Sequence, residues 1–225
     1  MSRSADAQES DMPLKLYTYF RSSAAYRVRL ALNYKGLAYD SASVHLRREE
    51  HRSDAYRELN PQALVPALET DGVVIPQSLA IIEYLEEMQP EPALLPFAAQ
   101  DRAIVRSMAQ LVASEMHPLC NLRILIYLKD RLGQDEASVN AWYHHWVAEG
   151  FGSLERMAER YSGDGKHCFG SSVTMADVCL VPQIHNARRF NCDLNGYPTL
   201  VAVDESLGQL PSFAAAHPSK QPDAE

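Results

Sequence analysis

Three adjacent polar residues near the start of the chain, Arg21, Ser22 and Ser23, have the types and the position to bind an anion. A β-favouring run at residues 14–19 precedes them, and hydrophobic residues with helical spacing follow from Ala24. A hydroxyl at such a strand-to-helix junction caps the helix, and the free amides and positive dipole end nearby favour an anion. A plain serine N-cap is the simpler interpretation, so the rest of the chain must decide between the two.

Two basic pairs, Arg27/Arg29 and Arg188/Arg189, could also serve a small anion. Arg27 and Arg29 are predicted on the faces of the helix that its apolar residues do not occupy. These cations are local, because the whole chain carries a net charge of -8. That balance argues against a nucleic-acid surface, which needs a dense footprint of lysine and arginine.

Further along the chain, His117, Asn121 and Arg123 fall at i, i+4 and i+6, and the first two are predicted to share a helix face, with Pro118 marking His117 as a residue at a helix boundary. The alternative interpretation is a solvated polar helix face. The adjacent His144 and His145 suggest a metal site, but adjacent spacing does not suit metal ligation. We therefore predict no metal, and we place these two histidines on a helix surface.

The elements that must position these residues fall into two parts. Strands are predicted at residues 14–19, 37–44, 65–68 and 73–75, with a helix from residue 24, a short one ending near 60 and one from 78. Helical patterns follow at residues 99–118, 119–132, 136–161, 174–190 and 199–215. We expect a disordered tail at residues 1–12, an α/β domain at 13–90, a linker at 91–98 and an all-helical domain at 99–220.

One predicted helix has a strongly specified beginning. Thr174 and Asp177 form a capping-box pattern, in which the carboxylate reaches back to the amide before the helix. Pro182 lies inside the same helix and should kink it, because proline removes one backbone donor. The pattern predicts a buried helix that carries the second basic pair at its C-terminal end.

Composition limits the class of protein further. The chain of 225 residues is 46% hydrophobic and 22% charged, as in folded proteins, and no stretch approaches the roughly 18 apolar residues of a membrane span. Its polar N-terminus lacks the apolar core of a secretory signal. The four cysteines show no C-x-x-C spacing, so reduced thiols are expected. These features predict a cytoplasmic protein without nucleic-acid or membrane partners.

Four motifs, in this order, resemble the glutathione transferase superfamily and within it the zeta class, which includes maleylacetoacetate isomerases and bacterial maleylpyruvate isomerases. They are YFRSSAAYRVRLAL at residues 19–32, NPQALVPALETDGVVIPQSLAIIEYLEE at 60–87, HPLCNLRIL at 117–125 and TMADVCLVPQIHNARRFNCDL at 174–194. The resemblance covers residues from about 14 to about 223. It implies an N-terminal thioredoxin-like glutathione-binding domain followed by a helical glutathione transferase domain.

The resemblance also implies roles for individual residues. Ser22 would point at the glutathione sulfur, with Ser23 as a neighbouring candidate, and Arg21 and Arg189 would hold substrate carboxylates. The implied catalytic residues are Ser22, Arg21 and Arg189. The implied glutathione-binding residues are Ser22, Ser23, Val65, a cis Pro66, Gln77, Ser78, His117, Asn121 and Arg123. One departure is Ala24, which stands where the animal zeta motif has cysteine, and so the reacting thiol must belong to bound glutathione.

The implied activity is glutathione-dependent cis–trans isomerisation of a maleyl keto acid in aromatic compound catabolism, with glutathione as cofactor and a homodimer as the assembly. The sequence does not separate maleylacetoacetate from maleylpyruvate as the substrate. A second interpretation is a zeta-type transferase that acts on small α-halo acids. A third is a non-catalytic binding protein, which would have no reason to keep both a thiol site and an anion site.

Overall fold

The structure, a computed structural model, describes residues 13–225, and the tail predicted at residues 1–12 lies outside them. The first part of the fold is a four-stranded mixed sheet with helices. Its elements are β1 (Lys15–Thr18), α1 (Ser23–Lys35), β2 (Asp40–Ser43), α2 (Asp54–Leu59), β3 (Ala67–Thr70), β4 (Val73–Pro76) and α3 (Ser78–Met88). The sheet order is β2-β1-β3-β4, in which β1 pairs parallel to β2 and antiparallel to β3. This is the predicted thioredoxin-like arrangement.

The second part is helical, as predicted. Its helices are α4 (Ala99–Gln110), α5 (His117–Cys120), α6 (Leu122–Asp130), α7 (Glu136–Tyr161), α8 (Met175–Arg189), α9 (Pro198–Leu207) and α10 (Pro211–Ala216). A π-helical turn, Leu111–Met116, joins α4 to α5. The helix predicted at 199–215 is two helices, since Gly208 ends α9 and Pro211 begins α10. No helix within residues 13–225 is both long and apolar enough to cross a membrane.

Helix α1 packs between the two parts, which explains its composition. It contacts α3 on the sheet side and α8 and α10 on the other side. Every residue from Ala25 to Leu32 is buried, including both arginines. A helix covered on both sides needs apolar residues around its whole circumference, so its two charges must be satisfied inside the protein.

The connection between the two parts is fixed by one buried ion pair. The Lys35 ammonium lies 2.7 Å from the Glu86 carboxylate and also donates to the backbone oxygens of Gln89 and Pro92. Glu86 in turn accepts from the backbone N–H groups of Leu94 and Leu95. The proline-containing segment predicted as a linker is therefore held by specific bonds to α1 and α3.

Helix α8 begins as the sequence predicts. One oxygen of Asp177 accepts from the backbone N–H of Thr174 at 2.7 Å, and its other oxygen accepts from the backbone N–H of Cys168 at 2.7 Å. Asp177 is fully buried, so these bonds replace its hydration. This anchoring sets the position of the polar residues on the C-terminal half of α8, which face the cleft described next.

Candidate active site

A cleft of about 290 Å³ lies between the sheet domain and the helical domain. Every site residue predicted from the sequence lines it: Arg21, Ser22, Ser23, Val65, Pro66, Gln77, Ser78, His117, Asn121, Arg123 and Arg189. Arg21 and Arg189, which are 168 positions apart in the chain, thus line one space, since the β1–α1 junction forms one wall and the end of α8 another.

Ser22 lies at the N-terminus of α1 and caps it. Its Oγ accepts from the backbone N–H of Ala25 at 3.2 Å, and its backbone is extended, with φ -73° and ψ 114°. This bond uses a lone pair of the hydroxyl and leaves its proton free to be donated into the cleft. The two interpretations of this serine, helix cap and anion donor, are therefore compatible.

Ser23 is buried and contacts the other domain. Its Oγ lies 3.1 Å from Nδ1 of His117. Burial, followed by the charges of Arg27 and Arg123, lowers the pKa of His117 to about 3. The imidazole is therefore neutral at physiological pH, and this contact joins a hydroxyl to an uncharged ring.

Arg29 is not available to an anion, contrary to the expectation from the basic pair. Its guanidinium donates to Thr18 Oγ1 at 3.0 Å, to the Phe20 oxygen at 3.1 Å and to the Ala216 oxygen at 3.2 Å. The side chain is fully buried. Arg29 therefore holds the backbone just before the Arg21–Ser23 segment against the C-terminal helix.

Arg27, two residues earlier, differs in that most of its donors are unpaired. Its Nη1 lies 3.3 Å from Ser78 Oγ, whereas Nε and Nη2 have no hydrogen-bond partner among the described residues. The side chain is 1% exposed and lines the cleft. Burial lowers the pKa of the guanidinium. A buried cation with free donors beside a helix N-terminus is suited to an anionic ligand.

The segment before β3 and the start of α3 form the wall next to Arg27. The Val65–Pro66 peptide bond is cis, as predicted. Gln77 has a positive φ of 73° and its amide donates to Gln62 Oε1 at 2.8 Å. Ser78 is the first residue of α3 and is buried.

The segment 117–123 is not one continuous helix, so the predicted shared face of His117 and Asn121 was wrong. Helix α5 ends at Cys120, and Asn121 is extended and caps α6, accepting from the backbone N–H of Ile124 at 3.2 Å. An asparagine N-cap explains the break. Arg123 is exposed and lines the cleft.

The end of α8 brings a second cation to the cleft. Arg189 is exposed at the cleft, and its Nη1 donates to Asn186 Oδ1 at 3.2 Å. Arg188 instead forms an ion pair with Asp204. The two arginines of the second basic pair therefore differ, because Arg189 lines the cleft whereas Arg188 pairs with Asp204 outside it.

The cleft residues that were not predicted as site residues include Arg27, Tyr143, Gln183 and Asn186. Gln183, Asn186 and Arg189 are spaced three residues apart on α8, which is the signal that could have linked the first two to the predicted arginine. For Arg27 the signal was a charge in an otherwise apolar helix. The predicted surface position of His144 and His145 agrees with their exposure, and no cluster of potential metal ligands occurs between residues 13 and 225.

Known proteins share both the sequence and the fold. The family described as glutathione S-transferase, N-terminal domain, matches residues 16–93. A maleylpyruvate isomerase from Ralstonia sp. is 48% identical over 94% of this chain and 100% of its own length. A probable maleylacetoacetate isomerase from Vibrio cholerae is 47% identical over 95% of this chain and 99% of its own length.

Two solved structures support the same grouping. The holo structure of a maleyl pyruvate isomerase, a bacterial glutathione S-transferase of the zeta class, superposes with a TM-score of 0.91, at 48% identity and with 94% of this chain and 100% of that chain covered. The maleylacetoacetate isomerase of Anaeromyxobacter dehalogenans, with glutathione bound in its active site, gives 0.85 at 44% identity, covering 95% and 99%. This chain belongs to the zeta-class glutathione transferase family of maleylacetoacetate and maleylpyruvate isomerases.

Proposed function

We propose that this protein is a glutathione-dependent isomerase that converts a maleyl keto acid, maleylacetoacetate or maleylpyruvate, into its fumaryl isomer. The observation that carries the proposal is the chemistry of the two sides of the cleft. On one side lies a buried, largely unpaired guanidinium beside a helix N-terminus, and on the other side the cation of Arg189. Such a cleft suits an anionic thiol peptide and an anionic substrate at the same time.

The unpaired N–H donors of Arg27 indicate where a carboxylate of glutathione would bind. A buried charge without a partner is destabilising by several kcal/mol, and a carboxylate placed between Arg27 and Ser78 would remove that penalty. We assign this position, with Gln77, to the γ-glutamyl carboxylate. The backbone of Val65, before the cis Pro66, would pair with the cysteinyl part. His117, Asn121 and Arg123 would contact the peptide from the helical domain.

Thiol activation is assigned to Ser22. Bound glutathione supplies the thiolate that adds reversibly to the maleyl double bond, so that the substrate can rotate about a single bond. The Ser22 proton is free because the oxygen already accepts from Ala25. One hydrogen bond from this hydroxyl, together with the N-terminal end of α1, favours a thiolate over a thiol.

The substrate carboxylates are assigned to Arg21 and Arg189. Arginine suits carboxylates because its planar donors can bind both oxygens at once. Within residues 13–225, six arginines line the cleft, Arg21, Arg27, Arg47, Arg52, Arg123 and Arg189, with one acidic residue, Glu49, although the whole chain carries a net charge of -8. A positively charged cleft in an acidic protein draws small anions toward the site.

The experiment that tests this proposal compares maleylacetoacetate and maleylpyruvate as substrates, each with and without glutathione. We expect isomerisation of one or both only when the thiol is present. Equal rates without glutathione would refute the mechanism, and conversion of neither substrate would refute the proposed activity. The ratio of the two kcat/KM values identifies the preferred keto acid.

The proposal includes a homodimer and a cytoplasmic location. Phe97 is fully exposed and Val73 is 59% exposed, which leaves apolar surface for a second copy to cover. Sedimentation equilibrium of the purified protein tests the dimer. All four cysteines are free thiols, which is what a reducing compartment maintains, and cell fractionation tests the location.

A further inference from the structure

Gln183 is a buried polar residue whose amide lies next to the Tyr143 side chain but forms no hydrogen bond of normal length among the described residues. Its side chain is 1% exposed and lines the cleft. Neither Nε2 nor Oε1 makes a hydrogen bond to any of the described residues. An unsatisfied buried amide destabilises a protein by about 1–3 kcal/mol, so a ligand that satisfies it gains that interaction on binding.

The position of Gln183 relative to Arg189 indicates which part of a ligand it meets. Both residues lie on α8, six residues apart, which corresponds to a rise of about 9 Å along the helix. Arg189 is exposed at the cleft, whereas Gln183 is deeply buried beside Tyr143. A keto acid whose carboxylate is bound by Arg189 would therefore extend its conjugated carbonyl toward Gln183.

We propose that Gln183 is a further catalytic residue, whose amide N–H donates to the keto oxygen of the substrate as negative charge develops there. This inference depends on the proposed isomerase function. As the sulfur–carbon bond forms at the alkene carbon β to the ketone, the alkene electron pair moves through the conjugated system to the keto oxygen. When the sulfur–carbon bond breaks again, the electron pair returns from the keto oxygen and restores the carbon–carbon double bond. No atom or electron is gained or lost.

The low polarity around Gln183 strengthens this interaction. Tyr143, which lines the same part of the cleft, is 1% exposed and stacks on Phe190 with ring centroids 3.9 Å apart. A hydrogen-bond donor in a site that excludes water stabilises developing charge more than the same donor in water. Arg21 and Arg189 are assigned to the carboxylates, and the amide of Gln183 is a neutral donor at the buried end of the cleft, where the ketone would lie.

The first experiment compares the Q183M variant with the Q134M variant, in which an exposed glutamine outside the cleft is replaced. We expect Q183M to lower kcat by about 100- to 1,000-fold, as removal of one oxyanion donor does, with little change in KM. Q134M should retain wild-type kinetics. A Q183M variant with nearly wild-type kcat would overturn the inference while leaving the proposed isomerase function intact. A wild-type enzyme that isomerises neither keto acid would refute the proposed function itself.

A binding measurement separates chemistry from damage to the site. Dicarboxyethyl glutathione is saturated and has no keto oxygen, so Q183M should bind it in calorimetry as tightly as the wild type does. A parallel loss of this affinity and of kcat would show that Gln183 only maintains the shape of the cleft, and would overturn the inference.

The Q183E variant gives a second readout if Q183M does not fold. A carboxyl group donates a hydrogen bond only when protonated, and burial raises its pKa. The kcat of Q183E relative to the wild type should therefore rise as the pH falls through the pKa of the introduced carboxyl. A pH profile identical to that of the wild type would contradict a donor role.

Discussion

The Oγ of Ser23 lies 3.1 Å from Nδ1 of His117, and this contact joins the N-terminus of α1 to the start of α5 in the other domain. The low pKa of His117, about 3, follows from burial and from the charges of Arg27 and Arg123. The contact therefore places a neutral imidazole in a cleft that several arginines line. Because burial disfavours the charged ring, protonation of His117 at low pH should destabilise the fold.

The pH dependence of stability should report this histidine. Its pKa is depressed in the folded state, from 6.5 to about 3, so the unfolded chain binds more protons between these values. The stability contribution of the neutral ring is complete above about pH 6.5 and is lost as the pH falls toward 3. We expect the wild type to lose stability relative to H117Q as the pH falls from 6.5 toward 3, because glutamine does not titrate in this range. Urea denaturation at several pH values measures it, and a pH-independent difference would contradict the depressed pKa.

Replacing Ser22 by alanine should affect turnover more than glutathione binding. The change removes the proton donor proposed for the thiolate and also the N-cap of α1, which contributes about 1 kcal/mol. We expect a reduced kcat and a smaller change in the dissociation constant of glutathione. Steady-state kinetics and calorimetry test this, and an unchanged kcat would move the donor role to Ser23.

Ser53 offers a matched control for the loss of a cap. Its Oγ caps α2 by accepting from the backbone N–H of Tyr56 at 3.3 Å, and it lies outside the cleft. The S53A variant should therefore lose a similar amount of stability and keep full activity. If S53A lost as much activity as S22A, the effect of S22A would reflect destabilisation instead of chemistry.

The sequence predicts most of the fold because its hydrophobic periods change where the elements change. The strand-to-helix transition before α1 is visible in the spacing of apolar residues, and the start of α8 is visible in Thr174 and Asp177. The break at Asn121 is less visible, because asparagine favours N-caps but also occurs inside helices, so its residue type alone does not fix its backbone conformation.

The site was predictable only in part, for a physical reason. Periodicity shows that a residue lies on a helix, but it does not show what covers that helix. In the sequence, Arg27 and Arg29 therefore resemble one basic pair. In the structure, α8 and α10 bury both side chains, and only Arg29 donates to backbone oxygens. Gln183 was missed for the same reason, since a lone glutamine on a helix carries no signal of burial.

These two arginines should respond in opposite ways to replacement by methionine. R27M removes a buried charge without a counter-ion, so the ligand-free protein should unfold at the same or a higher denaturant concentration. R29M removes several hydrogen bonds to buried oxygens and should destabilise the protein by about 3 kcal/mol or more. Chemical denaturation without glutathione compares them, and a strongly destabilised R27M would show that Arg27 is satisfied without a ligand.

The same R27M variant should bind glutathione more weakly, because the γ-glutamyl carboxylate would lose its charged partner. A glutathione analogue that lacks this carboxylate provides the control, since the wild type should bind it about as weakly as R27M does. Calorimetry with both ligands and both proteins completes the comparison. Equal losses for the two ligands on substitution would mean that Arg27 does not contact this carboxylate.

Arg189 and Arg188 are adjacent on α8 and form a last matched pair. Arg189 is exposed at the cleft, so R189A should raise KM for the keto acid and leave the dissociation constant of glutathione unchanged. Arg188 is half-exposed and pairs with Asp204 away from the cleft, so R188A should weaken the fold by up to about 1 kcal/mol and keep wild-type kinetics. Kinetics with each keto acid, together with thermal denaturation, separate the two effects. If R188A raised KM as much as R189A did, the substrate carboxylate would be recognised by the charge of the helix end and not by Arg189 itself.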